Sequence, residues 1–96
     1  MIDLVELLRT LESALRAGYS LRQALGRAAE DFDSTDLSAV AEAASAGAPL
    51  ASLFDQWATH DPDIGLLAGA VRLQLDTEAN LADTLSTLHL VLARRP

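Results

Sequence analysis

Apolar residues recur along this chain at intervals of three and four, and almost nowhere in strict alternation. That is the period of helices buried on one side. Over residues 2–17, Leu4, Leu8, Leu11 and Leu15 share one stripe, and Asp3, Glu6, Arg9, Glu12 and Arg16 fall mostly off it. Ser20 is a good N-cap for a second helix with Leu21, Ala24, Leu25, Ala28 and Phe32 inward. The polar run Asp33-Ser34-Thr35-Asp36 interrupts the pattern. A third helix is expected over 36–46, burying Leu37, Val40, Ala41 and Ala44. Gly47 and Pro49 end it and start a fourth, which buries Leu50, Leu53, Phe54 and Trp57.

Asp61-Pro62-Asp63 reads as an N-cap, a first-turn proline and a carboxylate favoured by the helix dipole. The fifth helix, over 63–75, is apolar nearly all round apart from Arg72 and Gln74, which predicts a central position. Asn80 is expected to cap a sixth helix whose stripe is Leu81, Leu85, Leu88 and Leu92. Leu90 points away from that stripe, and with its neighbour Val91 it marks a candidate interaction surface or a thicker core.

The connectors repeat. Ala17-Gly18-Tyr19-Ser20-Leu21 is matched by Ala46-Gly47-Ala48-Pro49-Leu50 and, less closely, by Thr77-Glu78-Ala79-Asn80-Leu81. In each, the chain leaves a helix through a residue suited to a left-handed conformation, a capping residue follows, and a Leu packs back. The expected fold is therefore all-α: a six-helix antiparallel bundle built from three helix-turn-helix hairpins. The third copy has Glu78 where the others have glycine. Either Glu78 is left-handed at a cost of about 1 kcal/mol, or Ala79 and Asn80 carry the turn in another geometry.

Composition agrees with one helical domain. The 96 residues include 19 Leu and 18 Ala, both strong helix formers, against four aromatics. No cysteine is present to form a disulfide or a thiolate metal site. The net charge of −7 argues against binding nucleic acid or an anionic lipid surface, both of which need cationic groups. It also removes the DNA-binding reading of the helix-turn-helix spacing, because Glu30, Asp31 and Asp33 follow Arg22 and Arg27 directly. No apolar run approaches the roughly 20 residues of a membrane span, and the acidic start, Asp3 and Glu6, suits neither a signal nor a transit peptide.

Candidate chemistry is sparse. His60 sits at a helix end, where the dipole favours it, and His89 on the flank of the sixth stripe. Neither has a partner at metal-ligand spacing, and no nucleophile–base pair is apparent. Asp31, Asp33 and Glu42 have calcium-loop spacing, but Asp36 stands where such a loop requires glycine and its second half reads as helix. The expectation is a solvated acidic loop, no metal, no cofactor and no catalytic residue.

The hairpin signatures carry a family resemblance. The run LRTLESALRAGYSLRQALGRAAEDF resembles the first hairpin of the type II secretion F family, and residues 47–57 resemble its central Gly-x-Pro-Leu step. VRLQLDTEANLADTLSTLHLVLARR is similar to its most recognisable stretch, with Arg72, Gln74, Asn80, Leu81, Leu85 and Arg94 matching and Glu78-Ala79 replacing the usual glycine pair. The resemblance covers roughly residues 4–95. It implies the cytoplasmic domain, itself a six-helix bundle, of an inner-membrane platform protein of type II secretion or of type IV or Tad pilus assembly. Such a domain would lie on the cytoplasmic face of the bacterial inner membrane, between membrane segments outside this chain. It would be a non-enzymatic scaffold that binds an assembly ATPase and forms a homodimer. The resemblance adds Arg72 and Gln74 to Leu90 and Val91 as a candidate interaction surface; Gly18, Ser20, Gly47, Pro49 and Asn80 are the structural turns that the repeated connectors already mark. Paired helices at a spacing of about 30 residues also describe a free-standing tetratricopeptide-like adaptor.

Overall fold

In a computed structural model the chain is described over residues 3–74 and 78–94, excepting the side chains of 73, 74 and 78–80. Among these residues there are six helices and no strand: α1 (Leu4–Arg16), α2 (Leu21–Asp31), α3 (Thr35–Ser45), α4 (Leu50–His60), α5 (Ile64–Gln74) and α6 (Glu78–Ala93).

The caps explain most boundaries. Asp3 accepts the Val5 and Glu6 N–H groups and starts α1. Ser20 accepts the Gln23 N–H at 3.2 Å while the Gln23 side chain takes the Ser20 N–H at 2.9 Å, a capping box at the start of α2. Ser34 accepts the Leu37 N–H, so α3 begins at Thr35, one residue before the sequence pattern places it. Pro49 holds the N-cap position of α4 without a side-chain bond.

Gly18 and Gly47 take the left-handed turns expected of them, at φ +101° and +98°. Each closes a Schellman motif. The Tyr19 N–H reaches back to the Ala14 carbonyl and the Gly18 N–H to that of Leu15, both at 3.1 Å. Ala48 and Gly47 do the same to Ala43 and Ala44. A Cβ at either glycine would meet nothing within 4 Å, so the requirement is backbone conformation alone. Gly18→Ala and Gly47→Ala should each destabilise by about 1–2 kcal/mol, and asparagine at either position by less. Thermal unfolding checks this, and alanine variants as stable as the parent would refute it.

Three expectations need correction. The sixth helix begins at Glu78, so Asn80 lies inside its first turn and is not its cap. Glu78 is helical, which removes the left-handed alternative; the connector itself, 75–77, lies outside the described residues. Asp61 is not the N-cap of α5 but the C-cap of α4. Its carboxylate accepts the Asp63 N–H, and bonds from Ile64, Gly65 and Leu66 back three residues carry the chain round the corner into α5. Finally, α5 is not central. It packs on α4 and α6, and leaves Gly65, Leu66, Gly69 and Arg72 exposed. Its outward face escaped the pattern because two glycines count as apolar yet bury almost nothing.

Each helix packs on its neighbours in the chain, and α1 closes the set by packing on α6. The first and last helices run antiparallel: Arg16, at the end of α1, donates to Asp83 near the start of α6 at 3.1 Å. The connectors' hairpins are present, but the most extensive packing joins α1 to α6, α2 to α3 and α4 to α5. Because α1 touches both α2 and α6, it buries a wide face. Leu7 is fully buried alongside Leu8 and Leu11, while Leu15 is only half-buried. Phe54 is the largest fully buried side chain, with the Trp57 ring stacked beside it at 6.1 Å between centroids. No described helix is long and apolar enough to cross a membrane.

Candidate functional site

The residues singled out as an interaction surface lie on α5 and α6. Leu90 and Val91 occupy the last two turns of α6 and are 51% and 57% exposed, as the angular position of Leu90 predicts. The thicker-core alternative is thereby removed for both. Leu66 on α5, 42% exposed, belongs with them as a large apolar side chain facing solvent. Sequence reasoning missed it, since the neighbouring Leu67 is fully buried and periodicity alone does not set the rotation of a nearly all-apolar helix.

Arg72 is exposed and donates to the Asp55 carboxylate on α4. The pair ties α4 to α5. Gln74 is the last residue of α5, and its side chain lies outside the described residues.

A larger open groove of about 740 Å³ runs between α1, α2 and α6. Its charges are largely spent on one another. Arg9 pairs with Glu6, and Arg16 pairs with both Glu12 and Asp83. The Glu12 hydrogen bond, then that of Asp83, hold the Arg16 guanidinium above its ordinary pKa; because arginine is charged at any physiological pH, this carries no pH dependence. Arg27 lies over the Tyr19 ring at 4.5 Å, which accounts for a tyrosine that is more than a third exposed.

Neither histidine joins a cluster. His60 is exposed in the last turn of α4, and His89 is half-buried on the flank of α6, lining the groove. Among the described residues no group of three or more His, Cys, Asp or Glu is placed to hold a metal ion. Asp31 is the last residue of α2 and Glu42 is inside α3, so the Asp31–Glu42 segment is a helix end, a short connector and the start of the next helix.

One cavity gathers unlike groups. At the end of the bundle where α1 and α3 start and α4 hands over to α5, Asp3, Asp33, Asp36 and Asp61 line a space of about 420 Å³ with Phe32 and Trp57. The first three carboxylates are exposed, and Asp61 is buried.

Comparison of the chain with protein-family models, curated proteins and solved structures finds no match in any of the three.

Proposed function

We propose that this chain is a non-enzymatic scaffold domain. In this reading it is the cytoplasmic part of an inner-membrane platform protein of type IV or Tad pilus assembly or of type II secretion, acting by binding the assembly ATPase and copies of itself. The observation that carries it is the combination of six helices with two equivalent glycine turns at Gly18 and Gly47, in the order the motif resemblance requires. The rival reading, an open tetratricopeptide-like array, is disfavoured by the packing of α1 on α6. In a repeat array each unit touches only its neighbours and the ends stay apart.

Leu66, Leu90 and Val91 supply exposed apolar area for self-association. Replacing Leu90 and Val91 with Asp should change stability by no more than about 0.5 kcal/mol each, as expected for exposed sites. The parent should show a concentration-dependent rise in sedimentation coefficient that the double variant loses. A parent that stays monomeric at the highest attainable concentration would refute self-association. For the platform role, the complete reading frame should be expressed in its own cell type. Recovery in the membrane fraction together with the assembly ATPase is the expected result, and recovery with neither would sink the proposal.

A further inference from the structure

The sixth helix has two sides of different character. Towards the bundle it buries Leu81, Leu85 and Leu92. On the opposite side Asp83, Thr87, Leu90 and Arg94 are all exposed, with Val91 exposed beside Leu90. These four follow one another at intervals of four, three and four residues. That is the spacing of a coiled-coil seam, along which a second helix lies. At about 100° per residue, Arg94 falls about 20° from Asp83 around the axis. Arg94 stands directly after the last helical residue, and its N–H bonds back to the Val91 carbonyl at 3.3 Å, so the turn of the chain carries on to it.

The bundle makes little use of this line. Arg16 donates to Asp83 Oδ1, and the Asp83 side chain stays 74% exposed. Arg94 has no carboxylate partner among the described residues. Leu90 and Val91, each more than half exposed, lie between Asp83 and Arg94. Acid, apolar and basic groups in that order complement themselves when reversed end for end. An antiparallel second copy of α6 brings each Asp83 opposite an Arg94, and each Leu90 against Thr87 of the other copy. A parallel copy sets Asp83 against Asp83 and Arg94 against Arg94, and like charges so placed repel. We infer that α6 pairs antiparallel with α6 of a second copy of this chain. A two-fold axis passes between positions 88 and 89, Leu90 and Val91 form the apolar centre, and Asp83–Arg94 ion pairs close both ends. The pairing rests on the self-association proposed above and fixes its face and direction; Leu66, on α5, is not part of it. With about 16 Å between its end charges, the seam is short and belongs with weak, transient interfaces.

Sedimentation of the intact chain and three variants, up to high protein concentration, tests the pairing. Arg94→Asp sets carboxylate against carboxylate at both ends. It should raise the dimer dissociation constant at least about tenfold, or about 1.4 kcal/mol. Asp83→Arg should do the same, and here the seam and general repulsion between copies lead to opposite results. The substitution brings the net charge of −7 two units closer to zero, so repulsion alone would make association stronger. Asp83→Arg combined with Arg94→Asp restores opposite charges at both ends and leaves the net charge unchanged. That double variant should return the dissociation constant to within about threefold of the parent's. Both positions are exposed, and Asp83→Arg gives up only a surface ion pair, so all three should melt close to the parent. A parent that is monomeric at the highest attainable concentration overturns the seam together with self-association. Single variants that associate like the parent, or a double variant no better than the singles, overturn the seam. If replacing Leu90 and Val91 with Asp still abolishes association in that case, self-association stands and the antiparallel pairing alone fails.

Discussion

Phe54→Ala is expected to destabilise the protein by about 3–5 kcal/mol. The ring is fully buried and stacks on Trp57, so truncation removes both its transfer free energy and the packing of its neighbour. A domain of this length has little reserve: total stabilities run from about 5 to 15 kcal/mol, and a thin core belongs at the lower end. Each kcal/mol lost should move the melting temperature by about 4–8 °C. The variant should therefore melt far below the parent or be partly unfolded at room temperature. Urea unfolding followed by helical circular dichroism is the measurement. A loss below about 1 kcal/mol would mean that the site collapses around the cavity or is not core.

Arg22→Met is the second large effect, and it acts through hydrogen bonds. Arg22 sits on α2, and its Nη1 donates to the Ala44 carbonyl at 2.7 Å and to the Ala48 carbonyl at 2.8 Å. Both carbonyls belong to the exit of α3, where the last turn leaves acceptors without intrahelical partners. The last turn of α3 has no basic residue of its own to offset the helix dipole. One guanidinium from the preceding helix thus bonds both carbonyls across the second glycine turn. Methionine keeps much of the stem's packing and removes the donors, and the expected loss is about 2–3 kcal/mol. Arg22→Lys should recover part of it, because an ammonium supplies charge without the planar fork. Equal stability of the Met and Lys variants would show that the charge contributes little. Amide exchange should also quicken at Gly47 and Ala48, whose N–H groups close the Schellman motif, if Arg22 braces that turn.

These two sites differ in how far the sequence foretells them. Phe54 is legible: it falls on an apolar stripe with Leu50 and Trp57, and a large aromatic at such a position is core. Arg22 is not, because an arginine on a helix carries no mark of the carbonyls it will meet more than twenty residues later. The cavity lies between these cases. The sequence marks the 33–36 segment as a break between helices and Asp61 as a helix start, and leaves Asp3 simply off the apolar stripe. Their meeting in one space with Trp57 depends on the bundle bringing those helix ends together.

The six helices, the glycine turns and the inward stripes follow from the sequence alone. Apolar period, N-caps and left-handed glycines act within a few residues of one another, so local spacing encodes them. Where the pattern lost its contrast, tertiary structure decided. The rotation of α5 was set by its packing on α4 and α6, which turned Leu67 inward and left Leu66 in solvent. The role of Asp61 passed from opening α5 to closing α4. The union of α1 with α6, and with it a closed bundle in place of an open array, joins residues such as Arg16 and Asp83 that stand 67 positions apart. No local signal spans that distance: which surfaces meet is settled by the burial that the whole chain achieves at once.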